Sequence, residues 1–572
     1  MLRFALVGAF LLSVCAPGDG LDDFSAEQLA KYPPANPVEP HRALVLSEIG
    51  ALKDGGWWLE CFVRGARGAS LEEWSVVRLG AEGRRRWTLP ASNLGTGKIF
   101  LVYLPAGEET PVIDDAAADP RRAAHAGAVL LQHGFRDVEG VRFGAGTPEL
   151  DCFAGRLPAL PPGKSLGKDW TRLEAADADA WSLGTPTPGL PNDVRGTLDA
   201  DGDGIPDANE VAGATFAGLP LHAWGARPGV PDLFMQIDTM DSESFGIQPF
   251  EASLALVRRS FARRGIAVHF DVGNLFHGEE RAAAGRFDLR GKAALRPELG
   301  LVAMTGSRRF AGLDTFRAAW LEAPRHLAFY YGLFVQAVST EAGRYEGIAG
   351  MGTIGEPKAI IALGASMRVW GNVAVNGQAL TLMHEMGHNL GLRHGGFEDR
   401  NYKPNYYSIV NYLYSGWGLP SIGSTNEGDR YLLYNRPGRY SNQPVWVEGG
   451  PSLDPEAFSP RLDFSDGRGL ALDEVHLDER AGLGRKHSAW VDWNGDGRTN
   501  ADLALDLNPR ALPASNAERL RDWDDWGNLR YYYAERWRGW TRPGAPPQTL
   551  FPAARLGPVG EAIWLPGTPG AR

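Results

Sequence analysis

The 572-residue sequence predicts a multidomain chain: an all-β sandwich, then an α/β (α+β) domain with a mixed sheet and a histidine-bearing helix. Three observations carry this expectation. Short apolar runs broken by turn residues fill the first third, a β-α-β alternation begins near residue 231, and histidine, glutamate and glycine crowd residues 381–396. Composition agrees, since 72 Gly and 40 Pro make up about one residue in five, a loop-rich figure still below the ~25–30% of low-complexity chains. A net charge of −11 argues against nucleic acid or an anionic membrane as a partner gripped through a basic face. Three cysteines exclude a disulfide-built scaffold and any four-thiolate metal centre.

Taken in order, residues 1–18 read as a secretory signal: Arg3, the apolar run Phe4 to Val14, then small Ala16. That run is too short for a bilayer core of about 30 Å, and no later stretch approaches the ~20 residues a spanning helix needs. The expectation is a secreted, extracellular protein. A lipid anchor through Cys15 is the alternative, with bulky Val14 set against it. Signal removal leaves Cys61 and Cys152, which read either as one disulfide or as two buried thiols. From 41 to 192 the runs Ala43 to Ile49, Trp57 to Val63, Trp74 to Leu79, Lys98 to Tyr103 and Ala128 to Gln132 predict the sandwich.

Residues 193–230 form a linker carrying Asp199-x-Asp201-x-Asp203-Gly204, with Asp207 and Glu210 following. This is the calcium-loop pattern: Ca2+ takes six to eight oxygens, Gly204 permits the sharp turn, and Glu210 closes the site bidentately. From 231 to 535 the chain predicts strand Leu233 to Ile237, a helix from Phe250 to Arg264 with Leu254, Val257 and Phe261 on one face, and strand Ile266 to Val272. A second helix is expected through Phe329 to Ala337, and a short strand at Ala359 to Leu363. Residues 536–572 are a Pro/Gly-rich tail.

The chemistry concentrates in TLMHEMGHNLGLRHGG, Thr381 to Gly396. At 3.6 residues per turn His384 and His388 project from one helix face, so both imidazoles reach a single ion. Gly391 can take the left-handed conformation that ends a helix and turns the chain back to deliver His394. Three neutral imidazoles leave one tetrahedral position open, as in catalytic Zn2+ sites. Glu385, of no use to a purely structural site, is placed to act as a base.

These residues resemble the extended zinc motif of the metzincin clan of metallopeptidases. A downstream turn strengthens the likeness: Ser408-Ile409-Val410-Asn411-Tyr412 matches the Ser-x-Met-x-Tyr of the astacin and serralysin branches, except that Val410 stands where methionine is usual. The resemblance implies a metzincin-like catalytic domain, protein or peptide as substrate, endopeptidase activity with Glu385 as general base, and Tyr412 as a catalytic residue that stabilises the oxyanion. It implies weaker stability or shifted zinc affinity from Val410, and substrate pairing along an edge strand near Tyr345 to Met351 or the strand after it. PDLFMQID, KPNYYSIVNY, LDFSDG, LDEVHLDE and VDWNGDG resemble a group of bacterial secreted metzincins. The opening LVLSEIGA and WWLECF and the closing GKSLGK and WSLGTPTPGLPN resemble the lamin tail domain, an immunoglobulin-like module, which implies a structural or adhesive role.

Asp492, Asn494 and Asp496 begin a second calcium-loop pattern, but position twelve is Leu503 and the nearest acid, Asp502, is one residue early. Ca2+ or a locally hydrogen-bonded acidic turn are the two readings. The contrasting function is a calcium-dependent adhesive protein whose histidine site only holds the fold. Oligomeric state, natural substrate and latency stay open at this level.

Overall fold

The computed structural model describes residues 21–537, apart from segments of which the longest are 105–111, 115–125, 277–286, 341–347, 364–373, 432–460 and 510–518, together with residues 562–564. The expected signal, Cys15 and most of the Pro/Gly-rich tail lie outside the described residues.

The first half is antiparallel. Strands β1 (Leu44–Ala51), β2 (Trp57–Val63), β3 (Trp74–Gly80), β4 (Gly83–Thr88), β5 (Ile99–Leu104), β6 (Val112–Asp114), β7 (Gly127–His133), β8 (Arg136–Phe143), β9 (Ser165–Lys168) and β10 (Trp181–Gly184) form two sheets. One runs β10-β9-β1-β2-β5-β6 and the other β8-β7-β3-β4. Residues of both sheets bury into one core, among them Leu46, Trp57, Leu59, Val76, Val102, Leu131 and Val141. β1 and β2 are buried along their whole length, and alternate side chains of β2 serve two cores, with Cys61 and Val63 in this one and Phe62 in the core of the second half.

The closing segment is tied down by buried carboxylates on the first two strands. Glu48 accepts from the Thr187 N–H at 3.0 Å and its hydroxyl at 3.1 Å, and Glu60 accepts from the Gly189 N–H at 2.6 Å. Asn192 donates to the carbonyls of Ser47 (2.7 Å) and Lys168 (2.8 Å). Burial pushes Glu48 up to about 7, so those donors offset part of the cost of keeping the pair dry. Cys61 and Cys152 are both free thiols, which answers the open question of a disulfide.

The second half is built on a mixed sheet. Strands β11 (Asp232–Met240), β12 (Ala267–Asp271), β13 (Phe329–Phe334), β14 (Ile348–Gly352), β15 (Lys358–Ile361) and β16 (Ala562–Trp564) lie in the order β12-β11-β13-β15-β14-β16. The first four of that order are mutually parallel. β14 is antiparallel to β15, and β16 antiparallel to β14. All nine residues of β11 are buried, as a parallel strand covered on both faces requires. Helix α1 (Glu251–Ala262) buries Leu254, Val257 and Phe261 as its spacing predicts.

One expected element is wrong. Residues 329–334 are not helical but form β13, in the middle of the sheet with all six residues buried. A continuous apolar run has no period to read, and here aromatic side chains suited to a pleated surface and cover on both faces decided it. Helix α2 (Ala311–Trp320) had no counterpart in the reading of the sequence, nor did the docking of residues 24–36. Phe24 packs edge-on against Phe316 and Trp320, and Asn36 bonds Ala318, Leu321 and Ala323. Phe62 and Trp170 from the antiparallel half join this second core, their rings 4.8 Å apart.

Candidate metal centre

Helix α3 (Ala374–Asn389) packs on β14 and β15 and brings His384, Glu385 and His388 inside. Its end is built by glycine. Gly391 has φ +91°, the Gly391 and Leu392 N–H groups donate back to the carbonyls of His388 and Gly387 at 2.9 Å each, and the chain doubles back to His394. Asn389 fixes the same end to the β14–β15 hairpin, donating to the Lys358 carbonyl at 2.7 Å and to Thr353 at 3.1 Å.

The structure brings the three histidines together, all buried. Their Nε2 atoms lie 3.0, 3.2 and 3.3 Å apart. His384 Nδ1 donates to the Ile409 carbonyl at 2.7 Å, and His388 Nδ1 to the Leu392 carbonyl at 2.8 Å. A carbonyl only accepts, so the proton sits on Nδ1 and the Nε2 lone pairs face one another. Lone pairs at such distances repel unless they share a cation. Three nitrogens at 2.0–2.1 Å from one tetrahedral ion would stand about 3.3 Å apart, so the donor set fits zinc on both geometry and protonation. Burial first, then the neighbouring imidazoles, hold His384 and His394 well below the usual histidine range, the neutral form that ligation needs.

Glu385 is fully buried and neither carboxyl oxygen has a hydrogen-bond partner. Burial pushes it well above the ordinary carboxylate range, while the peptide group of Gly352, which faces it without meeting hydrogen-bond geometry, pulls the other way. Strand β14 passes directly beneath. A Cβ on Gly352 would lie 2.9 Å from Oε2, and one on Gly350 would collide with Oε1. Two glycines thus bring backbone close to a carboxylate, which sequence reading did not single out.

The turn Ser408–Tyr412 closes the floor. Val410 is fully buried, and a Cβ on Gly387 would stand 2.6 Å from its Cγ1, so the branched side chain fills the space under the helix. Tyr412, first residue of helix α4 (Tyr412–Ser415), sets its ring 4.0 Å from that of His394 and stacks on His384 at 6.0 Å. Lys403 is another residue the sequence did not flag. Fully buried, its ammonium donates to the carbonyls of Gly395 (2.7 Å) and Arg521 (2.9 Å) and to Glu398 (2.9 Å), pinning the loop that carries His394. The expected substrate edge is real as a strand, β14, with residues 345–347 outside the described residues. Its outer side is already paired with residues 562–564.

The two acidic patterns part company. Asp199, Asp201, Asp203, Asp207 and Glu210 gather, and Asp232, at the start of β11, joins them. Asp492, Asn494 and Asp496 instead satisfy one another locally: Asp492 accepts from the N–H groups of Gly495, Asp496 and Gly497, and Asp496 from Arg498, Asn494 and Asn500. Asp502 turns away to His476 at 2.8 Å.

A model of the metallo-peptidase family M12B, reprolysin-like, matches residues 329–395. The matched span runs from the first residue of β13, through β14, β15 and α3, to the residue after His394. Neither a curated protein nor a solved structure matches the chain. The match and the triad together support a zinc-dependent peptidase acting on protein or peptide substrates. No helix among the described residues is long and apolar enough to cross a membrane.

Proposed function

We propose that the chain is an exported zinc endopeptidase in which His384, His388 and His394 hold the metal and Glu385 is the general base. The observation that carries this reading is the convergence of three Nε2 atoms within 3.3 Å of one another, with a buried carboxylate that has no hydrogen-bond partner on the residue next to His384. Zinc, when bound, supplies a Lewis acid that polarises a peptide carbonyl and brings a coordinated water to a pKa near 7. Glu385 takes the proton of the attacking water and passes it to the leaving amine. Tyr412, its ring against His394, is the candidate donor to the oxyanion of the tetrahedral intermediate.

An extended substrate would pair along the outer edge of β14, beside Glu385, where main-chain hydrogen bonds accept many sequences. Residues 562–564 sit antiparallel on that edge, so the edge accommodates an extended chain and substrate takes their place. In this reading residues 1–18 direct export, 41–192 form a lamin tail-like module of structural or adhesive character, 193–230 a linker, 231–535 the peptidase domain and 536–572 the tail.

The test compares the full chain with Glu385→Ala, both assayed for bound zinc and for cleavage of an unfolded protein. One zinc per chain in each, with cleavage confined to the wild type, is the expected result. Equal residual cleavage, or a wild type that takes up no zinc from replete medium, rejects it. Surface binding that survives selective zinc removal, without any proteolysis beforehand, would favour the adhesive reading instead.

A further inference from the structure

We propose that a calcium ion held jointly by the linker loop and by Asp232 fastens the linker to the first strand of the mixed sheet. The loop alone offers the expected acids. What the fold adds is Asp232, which opens β11 and places a carboxylate oxygen within 4.8 Å of oxygens from Asp203 and Glu210, all three residues buried. Two further groupings, Asp199 with Asp201 and Asp203, and Asp201 with Asp207 and Glu210, share members with it, so the three trios are linked through Asp201, Asp203 and Glu210. Calcium–oxygen bonds of about 2.3–2.6 Å put opposite ligands roughly 5 Å apart, so the oxygens of a trio at these separations can share one ion.

The second observation is Glu210. It has no solvent exposure, and neither carboxyl oxygen finds a hydrogen-bond partner. Asp201 likewise has one buried oxygen without a partner. A buried carboxylate lacking both donor and counter-ion is costly to keep, and a shared cation removes the cost for all members together. The rest of the cluster is already shaped from behind. Asp203 accepts from the N–H groups of Ile205 (2.7 Å) and Asp232 (2.6 Å), Asp199 from Gly202 (2.8 Å) and Gly204 (3.1 Å), and Asp232 from Arg227 (3.1 Å), while His269 lies in short contact with Asp232. Gly204, at φ +100°, lies directly against the backbone of Tyr533 and Ala534, leaving the loop no room for a side chain there. The acid set comes wholly from oxygen ligands, which selects a hard cation over zinc.

The experiment uses the full chain stripped with a calcium-selective chelator in the presence of saturating zinc, then titrated with calcium chloride. Binding is read by calorimetry, and stability by the thermal midpoint of the linker and sheet region with limited proteolysis across residues 193–230. Wild type should bind calcium, gain midpoint and lose linker cleavage. Asp232→Asn should weaken calcium binding by about tenfold or more, since one charged ligand is gone, and should lose most of the calcium-induced midpoint shift. Glu210→Gln should do the same. Should Asp232→Asn misfold, Asp199→Asn at the partly buried rim is the second variant, and it too should weaken binding. Calcium binding of unchanged affinity in Asp232→Asn overturns the joint site, as does a wild type with no calcium response at millimolar concentration. Zinc content, recorded on the same samples, is expected to stay constant, so failure here leaves the histidine site untouched and is distinguishable from failure of the peptidase reading.

Discussion

The histidine triad and the acidic cluster are held in the same way and differ in what they need. In both, backbone groups bond the side chains from behind and leave ligand atoms facing inward: carbonyls of Ile409 and Leu392 for the imidazoles, N–H groups of Gly202, Gly204, Ile205 and Asp232 for the carboxylates. The imidazoles are neutral, so the triad is an uncharged arrangement that a cation completes. The acids are a pile of like charge that a cation makes tolerable. Zinc is therefore expected to govern chemistry more than stability, and calcium the reverse. The second acidic loop, Asp492 to Asn500, is the control: it has the same opening letters and the same bonds to its own amides, but Asp496 is exposed, and among the described residues no buried, unpartnered carboxylate converges on it as Glu210 does on the first.

The largest effect falls on the histidine side. Replacing Glu385 by Gln removes the base and keeps the shape, so kcat should fall about 10²–10⁴-fold with zinc still bound. The thermal midpoint should not drop, because the group lost is a buried carboxyl without a hydrogen bond. A variant that loses activity only in proportion to lost fold would erase the contrast drawn above.

Next comes the acidic side. Glu210→Gln should lower the unfolding midpoint when calcium is present and raise it when calcium is stripped, because the same carboxylate is a ligand in one condition and an uncompensated charge in the other. Asp496→Asn should change neither calcium affinity nor midpoint. Calorimetry and thermal melts at two calcium levels decide the matter, and equal behaviour of the two variants would break the distinction between a converging and a locally satisfied loop.

Deleting residues 538–572 should act on the binding of substrate and not on the chemical step. If substrate and residues 562–564 compete for one edge of β14, KM for a long peptide falls on deletion while kcat holds within about twofold, a split characteristic of binding changes. Unchanged KM would mean that peptides do not use this edge.

How much of this was legible in the sequence follows from how far apart the cooperating residues lie. His384, His388 and His394 span eleven residues on a helix and the glycine turn that ends it, so period and conformation alone place them; Gly391 indeed has positive φ. The apolar faces of α1 and the strand cores of the antiparallel half were readable for the same local reason. Asp232 was not, because it reaches the loop through the start of a strand whose neighbours lie far along the chain. Gly350 and Gly352 look like any glycines until β14 lies beneath Glu385. Lys403, a charge expected at the surface, is drawn inside by three oxygen partners, two from the loop just before it and one, the Arg521 carbonyl, from a distant segment. Residues 329–334 misled because burial on both faces erases the alternation that would have marked a strand.

Val410 gives the smallest effect and the finest test. A thioether is the usual occupant of its place in the motif it resembles, which suggests that Val410→Met would repair a weakened floor. The packing argues the opposite. Val410 is fully buried under α3, against Gly387, whose missing side chain leaves no slack, and Phe464 packs on that same glycine. An unbranched, longer side chain must push one of these neighbours, at about 1–3 kcal/mol for overpacking a filled site. The Ile409 carbonyl that orients His384 is the adjoining residue, so displacement of the turn should also loosen the imidazole and weaken zinc retention. Chemical denaturation and competitive zinc chelation, run together on Val410→Met and wild type, are expected to move in the same direction, toward loss. A variant that is more stable and holds zinc more tightly would show that the branched side chain is a defect and not a fit.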